Sequence, residues 1–383
     1  MTEFSNLFSP FQIKDLTLKN RITMAPMYLG YANTDGTVSP LILDHYREMA
    51  ASGAGLIVVE NAAAHKSGLG SPFTLRVDHD RYVEGLSSLA ETIHKKGALA
   101  FLQINHAGRY AYMPERLAPS PVKTGEVIPH EMTGDNIELI IEAFASGAKR
   151  VKAAGFDGVE IHGGTGYLIV QFLSSRTNLR SDSYGGVLEN RMRFPLRVVD
   201  TVLSAVGTDY PVGYRFLADE ELPDGLHLEE TFSFAKELEQ RGLAYLSVMA
   251  GTYDSFFLPE YLEKEKKEAY MTDFAKAIKK RVLSMPVITA GRIQNPATAD
   301  KLLEQGAADL IGLARVLLAD PLWPRKAQRI IDGPIVRCEP TCSLCMKRAT
   351  EGKPAFCSQW DKERRKAFLS RVGETHDEVE EEV

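Results

Sequence analysis

The sequence predicts one closed α/β fold, a single (β/α)8 TIM barrel followed by a C-terminal cysteine-rich, cluster-binding extension. Three observations carry this prediction. Eight short apolar runs of β type alternate with segments of helical period between Ile22 and about Ile331. Several of these runs are apolar on both faces, as strands between a packed barrel interior and covering helices must be. No Gly-x-Gly-x-x-Gly occurs anywhere, so a doubly wound dinucleotide-binding sheet is not supported.

Length and composition agree with one large domain plus an appendage. The 383 residues, 44% apolar and 25% charged, are enough to bury a large core. Formal charge is −6 and no basic stripe interleaved with aromatics stands out, so nucleic acid is not an expected partner. The start, Met1-Thr-Glu-Phe-Ser-Asn, has no continuous apolar core, and nowhere do about 18 apolar residues run together. These features predict no membrane insertion and a cytoplasmic protein, and they are compatible with a homo-oligomer. All four cysteines fall between Cys338 and Cys357, the pattern of a metal or cluster site in a reducing compartment rather than of a disulfide framework.

Taken in order, Phe4 to Lys19 precedes the first strand and is expected to close the barrel floor. The first strand, Ile22 to Met27, ends in Met24-Ala25-Pro26-Met27-Tyr28. The second, Gly55 to Glu60, leads into a glycine-rich loop through Ser71 that could cover a cofactor. The third, Ala98 to Ile104, runs into Gln103-Ile-Asn-His106-Ala-Gly-Arg109-Tyr. An amide at Gln103 can both donate and accept hydrogen bonds, although it could equally cap a barrel mouth. His106 is read as structural. The stretch Tyr110 to Glu131 contains Pro114, Pro119, Pro121 and Pro129, is unsuited to a helix, and is long enough to shape a pocket on the catalytic face.

The fourth strand, Gly158 to His162, opens into a loop with three glycines and Tyr167. Beyond it Leu188, Met192, Leu196, Val199, Leu203 and Val206 recur at helical spacing and predict one buried stripe. The fifth strand, Val212 to Phe216, carries Arg215, and the sixth, Tyr245 to Val248, leads to Tyr253. Residues 259–270 read as a solvated charged face. The seventh and eighth, Val287 to Ala290 and Asp309 to Leu313, end in Ala290-Gly291-Arg292 and Gly312-Leu-Ala314-Arg315. Each places a small residue and an arginine at one of the last two βα loops, where many TIM barrels bind phosphate.

The stretch 157–191, containing Glu160-Ile-His162-Gly-Gly-Thr165-Gly-Tyr167-Leu and then Asn178-Leu-Arg-Ser-Asp-Ser-Tyr-Gly-Gly, closely resembles the fourth strand and loop of the old yellow enzyme family of FMN-dependent ene-reductases. Leu117-Ala-Pro-Ser120 and Ile128-Pro-His130 resemble its 2,4-dienoyl-CoA reductase branch, to which enoate reductases also bear likeness. The resemblance covers about residues 4–360. It implies FMN lying along Ala25, Pro26 and Met27, with Gln103 at the pyrimidine edge and Arg215 against N1 and O2. Gly291, Arg292, Ala314 and Arg315 would then clamp the phosphate. It further implies that His162 polarises a substrate carbonyl and that Tyr167 protonates carbon. Thr165 departs from the Asn or His of the family, which weakens the second carbonyl donor. Tyr253 stands about where the dienoyl-CoA branch has a catalytic histidine. By themselves His162 and Tyr167 also read as a satisfied strand-end histidine and a packing aromatic, and Arg215 as the partner of a carboxylate.

The cysteines run Cys338-x3-Cys342-x2-Cys345-x11-Cys357. No histidine lies among them, which excludes a Rieske centre, and one Cys-x-x-Cys knuckle stands where a zinc ribbon has two. The set resembles the [4Fe–4S] site of dienoyl-CoA and enoate reductases and of trimethylamine dehydrogenase, with the first two intervals in the opposite order from the dienoyl-CoA branch. Zinc or free thiols are the alternatives. The expected division is a barrel over 1–335 and a cysteine-rich segment with an acidic tail over 336–383. In those relatives FAD and NAD(P)H domains follow, and they are missing from this sequence, so an electron-donating flavoprotein or ferredoxin partner is implied. The expected activity is reduction of an activated C=C bond in an enoyl or dienoyl thioester or an enone. The rivals are an amine dehydrogenase of the trimethylamine dehydrogenase type, whose flavin is tethered through a barrel cysteine absent here, and a non-catalytic electron-transfer subunit.

Overall fold

The computed structural model describes residues 3–374. Its centre is eight strands, β1 (Ile22–Met24), β2 (Leu56–Ala63), β3 (Leu99–Asn105), β4 (Gly158–Gly163), β5 (Val212–Leu217), β6 (Tyr245–Met249), β7 (Val287–Thr289) and β8 (Leu310–Leu313). Each pairs in parallel with the next, and β8 returns to β1 through Ile311–Ile22, Gly312–Thr23 and Leu313–Met24. The barrel is therefore closed, and each of its eight strands has a partner on both sides. All eight strands fall on the apolar runs expected from sequence. Their ends differ where backbone chemistry intervenes. β1 stops at Met24, just before Ala25-Pro26, because Pro26 has no N–H for a ladder. β2 runs on to Ala63 with a register shift between Val59 and Ala62.

The N-terminal segment closes the floor, as anticipated. A hairpin, Phe11–Ile13 against Leu16–Leu18, buries Ile13 and Leu18 among Leu56, Val58, Phe101, Tyr245, Ile288 and Leu310. Outside the strands lie α1 (Pro40–Ala51), α2 (Val83–His94), α3 (Gly134–Ala153), α4 (Leu188–Val206), α5 (Leu228–Gln240), α6 (Thr272–Lys279) and α7 (Pro296–Glu304). Local signals fix their starts. Ser39 caps α1 ahead of Pro40, Thr133 and Asn136 form a capping box on α3, and Asn295 caps α7 ahead of Pro296. The stripe expected on α4 needs correction: Leu188, Leu196 and Leu203 are half-buried, while Phe194, Pro195, Val198 and Val202 are fully buried beside Met192, Val199 and Val206. The helix packs against α3 on one side and the short helix Leu168–Leu173 on another, so the buried face is wider than one row and displaced from it.

Residues 337–374 fold back on the barrel beside α1. The Trp360 indole donates to the Leu318 carbonyl at 2.7 Å, and Ala355 N–H to the Leu29 carbonyl at 2.8 Å. Arg364 pairs with Glu48 at 2.7 Å and Arg371 with Asp44 at 2.6 Å. Phe356, Trp360 and Phe368 pack together, and the fully buried Arg348 lies over Phe356 while pairing with Glu374. The acidic tail from residue 375 onward lies outside the described residues. Among the described residues no helix is long and apolar enough to cross a membrane.

Candidate active site

Two cavities open at the carboxyl ends of the strands, walled by the loops that follow them and by residues of the C-terminal segment. The smaller, about 150 Å³, is lined by Ala25, Arg215, Gly291, Arg292, Ala314 and Arg315. The larger, about 640 Å³ and within the range of small-molecule sites, is lined by Pro26, Met27, Gln103, His162, Thr165, Tyr167 and Tyr253. Every barrel residue that the resemblance assigns to flavin or substrate thus lines one cavity or the other.

The β4 loop shows how the sequence builds this. At Gly163 a Cβ would sit 2.0 Å from the Tyr214 hydroxyl, so only glycine fits there. Thr165 at φ 61° and Gly166 at φ 86° then turn the chain left-handed, and Tyr167 becomes the residue before the short helix Leu168–Leu173. A non-glycine residue at such a φ costs on the order of 1–3 kcal/mol and is tolerated chiefly where a site requires it.

His162 is 6% exposed and its Nδ1 has no hydrogen-bond partner. Burial, with the Arg215 charge acting in the same direction, pushes its pKa down to about 3, so the ring is neutral at ordinary pH. The Tyr167 ring stands edge-on to it at 5.1 Å, and the Tyr167 hydroxyl lies 2.9 Å from that of Tyr253. Burial, then the neighbouring Tyr253, holds the Tyr167 phenol well above its ordinary pKa, so it keeps its proton. The Thr165 hydroxyl points at the Met249 sulfur, 3.6 Å away.

On the adjoining strand β3 the Gln103 amide donates to Glu160 at 2.7 Å, and Tyr245 donates to the other carboxylate oxygen at 2.9 Å. Arg215, opposite His162 in register on β5, donates to Ser247 at 2.8 Å. The sequence reading passed over Glu160, yet period-two alternation puts it on the same face of β4 as His162. It also passed over Tyr28, Tyr110 and Tyr112, which line the larger cavity. Tyr110 donates to Asp254 at 2.7 Å, beside the buried Arg109–Asp254 pair. The strongest signal for Tyr28 and Tyr110 was adjacency to the quoted strand-end motifs.

The solvated face expected over residues 259–270 is corrected in part: Glu260, Glu263, Lys266, Lys267 and Glu268 are exposed, but the segment includes a helix, Pro259–Glu265, which buries Tyr261. The Glu265 carboxylate pairs with Arg315 at 2.9 Å, and its backbone carbonyl accepts from Arg292 Nε at 2.8 Å. A buried Arg292 and a half-buried Arg315 at one cavity call for a counter-charge, and this segment brings it. Arg292 Nη2 is buried without a partner, and Gly291, at φ 104°, keeps the chain close against Met271 where a Cβ would come within 2.9 Å of a backbone nitrogen. An orphan guanidinium donor and a second arginine at the smaller cavity, with a neutral histidine and its free ring nitrogen at the larger one, fit a phosphorylated flavin.

All four cysteines line a third, small cavity on the far side of Arg315, with Leu318, Phe356 and Ser358. None is in a disulfide. Among the described residues no three histidine, cysteine or acidic side chains close on one metal-ion position.

The description "NADH:flavin oxidoreductase / NADH oxidase family" belongs to a family profile that matches residues 6–332. The chain belongs to this family. It is of the old yellow enzyme type, and FMN is the family's cofactor. An NADH oxidase of Thermoanaerobacter brockii is 44% identical over 88% of this chain and 53% of its own length. An NADPH dehydrogenase of Halalkalibacterium halodurans is 37% identical over 84% of this chain and 93% of its own. Among solved structures, a 2-naphthoyl-CoA reductase in complex with 2-naphthoyl-CoA superposes with TM-score 0.88 at 29% identity, over 93% of this chain and 57% of that one. The chain therefore spans about half the length of the first two curated relatives it matches.

Proposed function

We propose that this chain is an FMN-dependent ene-reductase acting on an activated C=C bond, in an enoyl or dienoyl thioester or a related enone. The observation that carries the proposal is the Tyr167 hydroxyl, kept protonated by burial, bonded to Tyr253 and edge-on to a neutral His162 in a cavity roomy enough for a substrate. Ala25, Pro26, Met27, Gln103 and Arg215 would hold the flavin ring, and Gly291, Arg292, Ala314 and Arg315 its phosphate. Bound FMN supplies hydride for the β carbon. His162 then donates a hydrogen bond to the carbonyl oxygen, where charge gathers as the enolate forms. Tyr167 delivers a proton to the α carbon, and Tyr253, 2.9 Å away, replaces it from the solvent side of the loop. Thr165, turned toward Met249, contributes little to the carbonyl, so His162 carries that role nearly alone.

In the same reading Cys338, Cys342, Cys345 and Cys357 hold a [4Fe–4S] cluster, which supplies electrons singly from a flavoprotein or ferredoxin, and 336–383 is the segment that carries it. The single cavity shared by all four cysteines supports this. A second reading, direct hydride donation by a nicotinamide, is favoured by the likeness to an NADPH dehydrogenase of which the chain covers 93%. Anaerobic purification tests the cofactors: about one FMN and about four iron atoms with matching acid-labile sulfide are expected. Stoichiometric zinc without iron would sink the cluster. Stopped-flow reduction by NADH and NADPH separates the electron routes, because fast, saturable bleaching unaffected by Cys342→Ala would favour the nicotinamide.

A further inference from the structure

Cys338 and Arg315 each line both the phosphate-side cavity and the cysteine cavity, so the two sites share side chains in their dividing wall. Arg292 links them by hydrogen bonds. It is 8% exposed, its Nη1 lies 3.2 Å from the Cys338 carbonyl oxygen and 3.8 Å from the Cys338 sulfur, and its Nε is held by the Glu265 carbonyl. The third nitrogen, Nη2, is buried with no partner, and Arg292 lines the phosphate-side cavity. Its backbone stands at φ 54°, a conformation that an L side chain seldom adopts unless its surroundings demand it.

We propose that Arg292 is a ligand shared by both cofactors, Nη1 fixed by Cys338 and Nη2 reserved for the flavin phosphate, so that each cofactor binds more tightly when the other is present. This rests on the reading of the smaller cavity as the phosphate site and of the four cysteines as cluster ligands. A guanidinium is a rigid planar fork, so anchoring one nitrogen sets the direction of the other. When Cys338 is pinned as a cluster ligand, the fork is preorganised for the phosphate. When it is not, Cys338 and the fork turn together and the phosphate must order them on binding. The coupling is reciprocal by thermodynamic necessity: bound FMN must tighten binding of the cluster by the same factor.

The test is FMN and riboflavin affinity on flavin-free protein, measured by flavin fluorescence quenching. It compares cluster-loaded protein with protein freed of iron in two ways, by Cys342→Ala and by chelation of the wild type. With Arg292 present, cluster loss is expected to weaken FMN binding by about tenfold, a typical size for coupling between two sites. In Arg292→Lys, which keeps the charge but has no fork, FMN still binds and the ratio falls below about twofold. Riboflavin, which lacks the phosphate, should show no cluster dependence in either protein. Gln103→Ala, which weakens the ring contact, should keep the full ratio for FMN. Equal ratios in the wild type and Arg292→Lys would overturn the proposal while leaving the cluster standing. Wild-type protein without iron would remove the cluster reading and this proposal with it.

Discussion

At Tyr167 a buried phenol keeps its proton because nothing nearby stabilises the phenolate, which is the state a carbon acid-base step requires of its donor. Tyr167→Phe is expected to leave flavin reduction intact and to slow substrate reduction roughly 100-fold, the scale of losing a positioned acid. Tyr253→Phe keeps the acid and removes only the hydroxyl bonded to it, so the loss should be smaller and show a larger solvent isotope effect on the oxidative half-reaction. Equal rates for wild type and Tyr167→Phe would mean that water or another group protonates the substrate. His162 gives a separate forecast. With its pKa held at about 3, the imidazole is neutral at every pH above about 4, and kcat/KM for enone reduction should show no imidazole-type titration between about pH 5 and 8. An inflection near 6.5 that vanishes in His162→Gln would contradict this.

At the scale of elements, the helix Leu344–Thr350 has two duties. Cys345 lines the cysteine cavity, while Met346, Ala349 and Thr350 line the larger pocket. Local sequence marked only the first, since Cys-x-x-Cys is a motif and a methionine one residue on is not. Because this helix forms a wall of the pocket, Ala349→Phe should raise KM for a bulky bicyclic enone by about tenfold or more and change that of a small acyclic enone far less. A methylene or more of misfit in a pocket is worth about 1–3 kcal/mol. A uniform change in both would show that the wall is not part of the substrate site. Strand positions were legible for the opposite reason. A run apolar on both faces and bounded by polar loops is a signal carried within six or so residues. Strand ends were less so, because the ladder stops where Pro26 or a register shift interrupts pairing with a distant partner.

At the scale of the molecule, Glu60 joins the barrel to the extension. It lies on β2 at 1% exposure and accepts from Leu29 N–H at 3.0 Å, while the Leu29 carbonyl receives Ala355 N–H. Burial raises its pKa to about 8, against 4.5 as the ordinary value. The sign follows from proton counting. Between pH 4.5 and 8 the unfolded chain has lost this proton and the folded chain retains it, so stability contributed by the protonated acid is complete below 4.5 and is lost as pH rises to 8. Glu60→Gln removes that dependence. Relative to wild type, the variant should gain roughly 1.4 kcal/mol for each pH unit through this window and level off above it, read from denaturant or thermal unfolding at a series of pH values. A difference that stays flat would show that Glu60 ionises normally.

The sequence by itself determined eight strands and their order with the helices, because apolar runs and helical period are properties of neighbouring residues, and the family resemblance marked the strand-end residues. Tertiary structure alone decided which of those residues act together. Tyr167 meets Tyr253 across 86 positions, Gln103 meets Glu160 across 57 and Arg315 meets Glu265 across 50. Barrel closure brings such pairs together, and no local pattern encodes it. The same holds for the neutral His162, the protonated Glu60 and the orphan nitrogen of Arg292. Each follows from desolvation, and desolvation is set by what the rest of the chain packs around a group.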